Sequence, residues 1–154
     1  MKNQSIYLAY GSNLNLLQMA RRCPTAEVLG ATEIQGCDLK FRGKSGYAVA
    51  TVEPGEGKVP ALLWEITAAD ERALDRYEDW PRLYRKETMM VELDGEQAEA
   101  MVYIMNDGYD LGAPHPLYFS IIKDGYRSAG FDTAVLDEAL HRSFSEQEPE
   151  MEMG

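Results

Sequence analysis

Two strand-like runs, Tyr84–Leu93 and Glu96–Met105, are separated by Asp94-Gly95 alone. A two-residue connection can join only antiparallel neighbours, and Asp-Gly suits the positive backbone angles of the tight turns that match strand twist. Upstream, Val28–Gln35, Cys37–Arg42 and Tyr47–Val52 are set off by Gly36, Gly43 and Gly46, Pro54-Gly55-Glu56-Gly57 reads as a loop, and Val59–Ile66 as a buried strand. Ser5–Tyr10 is a further short strand pattern, stopped by Gly11. Roughly six or seven strands in short-loop succession do not alternate with helices, which disfavours a doubly wound parallel sheet and defines an α+β domain.

Helices fill the remaining segments. Leu14, Leu17, Met19 and Ala20 have helical spacing and stop before Pro24. Thr67 with Asp70 three residues on is a weaker relative of the capping box, opening a helix through Leu74 and Tyr77 that ends near Trp80, because Pro81 disfavours helical geometry in the residue before it. Pro116–Arg127 carries the stripe Leu117, Ile121 and Ile122, and Asp132–Phe144 begins on Asp132 as its cap.

A length of 154 residues predicts a single domain, drawn here over 1–144, with 145–154 as a solvated, disordered tail carrying Glu146, Glu148, Glu150 and Glu152 and no Lys or Arg. The tail also raises the reading of an interaction protein that recruits a basic partner, although ordinary solvation of a terminus accounts for it more simply. A net charge of −11 argues against a sequence-independent grip on nucleic acid. With no apolar run of about 18 residues and no signal-peptide core, no membrane partner is expected and the location reads as cytoplasmic. Cys23 and Cys37 show no short-spaced metal pattern and read as free thiols in a reducing compartment rather than as a disulfide.

No phosphate-binding glycine loop, His-Glu-x-x-His or Gly-x-Ser-x-Gly occurs. His115, between Pro114 and Pro116, reads as a loop residue, and His141 as a surface residue near a helix end. The informative segment is Tyr10-Gly11-Ser12-Asn13-Leu14, a strand-to-helix turn. Gly11 permits close backbone approach, and amides opening a helix can hold a carboxylate or a developing oxyanion. On spacing alone the same turn is equally a simple helix cap through Ser12 or Asn13.

In chain order, that turn, then Leu74-Asp75-x-x-Glu78 at a helix end, Tyr84, and Tyr103-Ile104-Met105-Asn106 ahead of Pro116-x-Tyr118 resemble the γ-glutamylcyclotransferase family from about Ile6 to Gly130. The resemblance implies a small mixed β-barrel with surrounding helices, and an enzyme needing neither metal nor organic cofactor. The partner it implies is a small γ-glutamyl amine or γ-glutamyl amino acid, whose α-amine attacks its own γ-carbonyl to release 5-oxoproline and a free amine. It assigns catalysis to Glu78 and substrate binding to Tyr10, Gly11, Ser12, Asn13, Leu14, Tyr84, Tyr103 and Tyr118. Without it, Glu78 is one helix-end carboxylate beside Asp75 and Asp79, and each tyrosine reads first as a core aromatic.

The implied chemistry sets requirements. An α-amine has a pKa of roughly 7.7–8.0, so it must lose a proton before attack, and a carboxylate can take that proton. Tyr77 and Trp80 flank Glu78 closely enough to be expected to desolvate it and raise its pKa. Two features depart from the family. Asp79 stands where Gly often follows the catalytic Glu; Asp tolerates left-handed geometry, and its charge is expected to push the Glu78 pKa upward. Asp79-Trp80-Pro81-Arg82-Leu83 differs from the glutathione-pathway branches and is expected to touch the leaving group. A non-catalytic module of the same fold, binding a small γ-glutamyl acid, is the alternative.

Overall fold

The structure is a computed structural model that describes residues 4–145; the acidic segment from Glu146 onward lies outside the described residues. Strand β1 (Gln4–Ala9) runs into a single 3-10 turn, Ser12–Leu14, and helix α1 (Leu16–Arg22). Strands β2 (Glu27–Arg42) and β3 (Val49–Thr67) follow, then α2 (Ala68–Tyr77), the pair β4 (Tyr84–Leu93) and β5 (Glu96–Met105), and helices α3 (Pro116–Ala129) and α4 (Ala134–Ser145).

The five strands form one mixed sheet in the order β2-β3-β1-β5-β4, antiparallel throughout except for the central β1–β5 contact. The barrel expected from the resemblance is replaced by an open sheet. Its edge strands β2 and β4 approach one another through side chains, as where the Thr32 hydroxyl donates to the Glu92 carbonyl at 2.7 Å, and no ladder between them closes the sheet among the described residues.

Fewer, longer strands form than the glycine punctuation suggests. β2 absorbs two of the expected strands because Gly36, at φ 71°, sits in a bulge between Gln35 and Cys37 and the ladder resumes beyond it. Pro54-Gly55-Glu56-Gly57 is strand rather than loop: Cys37 pairs with Pro54, and the Gly57 N–H donates to Asp38 Oδ1 at 3.2 Å. The Asp38 carboxylate occupies the space that side chains at positions 55 and 57 would need.

The local signals hold where their chemistry is self-contained. Asp94 and Gly95 take φ 53° and 82°, and β4 and β5 pair from Leu93↔Glu96 to Tyr84↔Met105. Thr67 and Asp70 form a full reciprocal capping box. The Asp132 carboxylate accepts the Ala134 N–H at 2.9 Å. His115 is more than a loop residue, since its Nδ1 caps α3 by accepting from the Leu117 N–H at 3.0 Å. Cys23 is buried and Cys37 half-buried, and both are free thiols. No helix among the described residues is long and apolar enough to cross a membrane.

Candidate active site

The turn after β1 is built so that its polar side chains are not consumed as caps. Gly11 begins the 3-10 turn with no side-chain cap, and the cap of α1 is Asn15, whose Oδ1 accepts from the Leu17 and Gln18 N–H groups at 3.0 and 3.2 Å. Helix α3 presses on this turn through Gly125: any Cβ there would lie 2.8 Å from the Leu14 carbonyl carbon and 2.9 Å from the Asn15 nitrogen. Ser12 and Asn13 are thereby buried at 6% and 2% exposure with their hydrogen-bonding groups directed inward.

Helix α2 delivers the carboxylate. Its capping box fixes where the helix starts, and Leu74 faces the core at 0% exposure. Residues four apart share a helix face, so Glu78, whose N–H donates to the Leu74 carbonyl at 2.8 Å, follows Leu74 inward. Asp79 then takes φ 56°, the left-handed geometry expected of it, and its carboxylate pairs with Arg82.

Glu78, Gly11, Ser12 and Tyr10 line a tight cavity of about 20 Å³ together with Tyr84, Tyr103 and Tyr118. Of the residues singled out in the sequence, Asn13 stands behind this cavity, its Nδ2 donating to the Tyr7 hydroxyl at 2.9 Å, and Leu14 is fully buried in the core. Three lining residues had not been anticipated: Tyr7, Leu8 and Ala50. Tyr7 and Leu8 lie on opposite faces of β1, both of them buried, as its unbroken apolar and aromatic run in the sequence suggests. Ala50 carries none of its own, and only the fold brings it there.

The phenols are committed differently. Tyr10 donates to the Tyr103 carbonyl at 2.6 Å, Tyr84 to the Ala50 carbonyl at 2.6 Å, and Tyr103 to Asp75 Oδ1 at 2.6 Å. Tyr118 instead accepts from the Ala50 N–H at 3.0 Å, and a phenol that accepts retains its own hydrogen for another acceptor. Burial raises the pKa of Tyr7, Tyr10, Tyr84, Tyr103 and Tyr118, so all five remain neutral hydroxyls.

Burial also pushes Glu78 up to about 7, against an opposing pull from the Arg22 guanidinium. The expected origin of this shift needs correction. Desolvation dominates as expected, but the Asp79 carboxylate is paired with Arg82 and its charge is not among the causes. The enclosing groups are the phenols of Tyr7, Tyr10, Tyr84 and Tyr118, which lie close enough to Glu78 to feel its charge.

Two larger clefts, about 500 and 680 Å³, lie elsewhere and contain none of these groups except by chain adjacency. Their size does not outweigh the chemistry. In the larger, Glu53 is clamped by Arg42 and Lys40 and its pKa is lowered, so it is a poor proton carrier near neutrality.

The mixed α+β fold sets one carboxylate, Glu78, beside a tyrosine-walled turn. Residues 7–123 match the family described as gamma-glutamyl cyclotransferase, AIG2-like, and the chain belongs to that family. Comparison with curated protein sequences finds no match. Among solved structures, an uncharacterized protein of Homo sapiens is 23% identical with a TM-score of 0.79, over 90% of this chain and 87% of its own. A structure described as a gamma-glutamyl cyclotransferase is likewise 23% identical with a TM-score of 0.78, over 88% of this chain and 86% of that one. A gamma-glutamyl cyclotransferase specific to glutathione from yeast is 10% identical with a TM-score of 0.64, over 94% and 97% of the two chains. At these identities the likeness shows a shared fold.

Proposed function

We propose that this protein is a γ-glutamylcyclotransferase that converts a γ-glutamyl amine or γ-glutamyl amino acid to 5-oxoproline and the free amine, with Glu78 as general acid and base. The observation that carries the reading is a carboxylate with a pKa of about 7, set inside a cavity that also holds the Gly11–Ser12 turn. A base poised near neutrality can take a proton from an amine and return it within one cycle.

In the proposed reaction Glu78 removes a proton from the α-amine as its nitrogen attacks the γ-carbonyl carbon, closing a five-membered ring. Negative charge develops on the carbonyl oxygen, to which, in this reading, the Ser12 and Tyr118 hydroxyls donate. Protonated Glu78 then gives its proton to the departing nitrogen as the original amide C–N bond breaks. Because nucleophile and carbonyl belong to one molecule, holding the chain folded supplies much of the acceleration, up to about 7–11 kcal/mol in well-oriented cases.

At about 20 Å³ the cavity holds roughly one water, so a γ-glutamyl group enters only as a wall side chain moves.

The test is to incubate the pure protein with a panel of γ-glutamyl amines, γ-glutamyl amino acids and glutathione and to follow 5-oxoproline by mass spectrometry. Formation from at least one compound, abolished in Glu78→Gln, is the expected result. Saturable binding measured by calorimetry without turnover would replace this reading with a non-catalytic module of the same fold.

A further inference from the structure

Arg22 ends α1 and was not among the residues singled out in the sequence. Its Nη1 donates to Ser12 Oγ at 3.2 Å and to Asn13 Oδ1 in a shorter contact. Its guanidinium carbon lies 3.4 Å from the centroid of the Tyr77 ring, a stacked cation–π placement. The Tyr77 hydroxyl returns to the same Ser12 Oγ at 3.0 Å. Arginine, tyrosine and serine thus close a small triangle behind the turn.

We propose that Arg22 is a positioning residue of the cyclotransferase site: stacked on Tyr77, its guanidinium orients the Ser12 hydroxyl and the Asn13 amide and presents a positive charge to Glu78. The inference rests on the assignment of Glu78 as general acid and base.

Donor and acceptor counting supports the geometry. A guanidinium has only donors, so Asn13 must turn Oδ1 towards Arg22, which leaves Nδ2 to face the Tyr7 hydroxyl, as observed at 2.9 Å. Ser12 Oγ accepts from Arg22 by the same rule. The Ser12–Tyr77 bond can run either way; with Tyr77 as its donor both lone pairs of Ser12 Oγ are occupied, and the serine hydrogen is left for an acceptor in the cavity that Ser12 lines. A lysine in this place would keep the charge but lose the planar fork.

The surroundings of Glu78 make the charge count. Facing it are phenols: Tyr7 and Tyr10 from β1, Tyr84 from β4 and Tyr118 from α3. On β5, Tyr103 is bonded to Asp75, and on β4, Arg85 is paired with Glu87 and reaches Tyr10 electrostatically. The β3 contribution, Ala50, is apolar. Arg22 is the cation that acts on Glu78, and it pulls the carboxyl down against burial.

The experiment compares wild type, Arg22→Met and Arg22→Lys in two ways. One is kcat and KM across the neutral pH range with γ-glutamylalanine and γ-glutamyl-n-butylamine; the other is a direct 13C NMR titration of the Glu78 carboxyl in the free protein. Arg22→Met should lose kcat on the order of 10²-fold with a much smaller change in KM, the expected scale for a misplaced reacting group. Its Glu78 titration and the acidic limb of its rate profile should both move to higher pH. Arg22→Lys should restore the limb and the titration but not kcat.

If Glu78 titrates in Arg22→Met where it does in wild type, and kcat stays within threefold, the proposal is overturned. A lysine variant with wild-type kcat overturns the orienting role. Should the methionine variant fail to fold, the lysine variant decides alone, through reduced kcat with an unmoved limb or through wild-type kcat. Failure of the Glu78 assignment is separable: Glu78→Gln would then turn over normally, while the titration still reads the effect of Arg22 on the carboxyl.

Discussion

Glu78 and Glu53 both meet an arginine, yet they end in opposite electrostatic states. Glu53 lies in the open cleft beside Thr51, bonded directly to Arg42 and 3.5 Å from Lys40, and its pKa is lowered. Glu78 shares the small tyrosine-lined cavity with Ala50 and feels Arg22 without bonding to it, and its pKa rises to about 7. The difference teaches that a cation holds a carboxylate ionised when it donates to it, whereas a cation occupied with other acceptors only moderates the cost of burial. Glu53 is fit to hold two strands together, and Glu78 is fit to exchange a proton.

The largest effect expected of this contrast is on turnover. Glu78→Gln should lose about 10²–10⁴-fold in 5-oxoproline formation while retaining its fold, because the amide keeps the shape but cannot accept a proton. Normal turnover in that variant would break the contrast at its centre. Glu53→Gln should leave turnover within about twofold, and a comparable loss there would show that the open cleft takes part.

Next is the pH profile of kcat/KM. With Glu78 at about 7 and a substrate amine at roughly 7.7–8.0, both needed in their deprotonated forms, kcat/KM should rise through that range to an alkaline plateau. An acidic limb in the usual carboxylate range would contradict the effect of burial.

A smaller effect is expected at Gly11. A Cβ there would meet the Ala50 Cβ at 3.5 Å and the Tyr118 hydroxyl at 3.9 Å, ordinary contacts that the fold tolerates. Gly11→Ala should therefore melt near wild type yet lose about tenfold in kcat/KM, a barrier change of about 1.4 kcal/mol, as the methyl occupies space beside Tyr118. Equal losses of melting temperature and activity would instead indicate a structural glycine.

The smallest effect is on stability, and its sign differs between the two acids. Glu53, with a lowered pKa, contributes stability that is present above its unfolded value near 4.3 and is lost as the pH falls through the folded pKa. Partial exposure limits this to about 1 kcal/mol or less. Glu78, with a raised pKa, contributes stability that is complete below its unfolded value and lost as the pH rises through about 7. Thermal melts should show Glu53→Gln destabilised at pH 7 and matching wild type in acid. Glu78→Gln should be slightly more stable than wild type at pH 8.

The sequence revealed those parts whose chemistry is local. The Asp94-Gly95 hairpin, the Thr67 box and the Tyr10–Leu14 turn each sit within a few residues and carry their own hydrogen-bonding logic. Glu78 was singled out by the family resemblance alone, although its four-residue spacing from the buried Leu74 is consistent with an inward carboxylate. What escaped depends on distant pairing. Ala50 reaches the cavity only because β3 folds back beside β2, and Arg22 acquires meaning only when α1 meets the end of α2. The bulge at Gly36 was misread for a related reason: a glycine at φ 71° can end a strand or let it continue past an extra residue, and only its partner strand decides.

That bulge has a bearing on how the molecule behaves among its own copies. An open sheet ends in two strands with unspent backbone groups, a template on which another chain can add and aggregation can begin. Along β2 the ladder shifts between Val28 and Gly30 and again between Gln35 and Cys37, so the edge lacks the flat, regular run that such addition needs. Its far end is covered by the chain itself, where the Gly112 N–H donates to the Phe41 carbonyl at 3.1 Å and the Gly43 N–H to the Asp110 carbonyl at 2.8 Å. At the opposite edge, Arg85, Lys86, Glu87 and Glu92 place charge along β4. The unclosed sheet is thus bounded by an irregular edge and a charged one, both unsuited to strand addition, while one end of the molecule keeps a site built from strand, turn and helix.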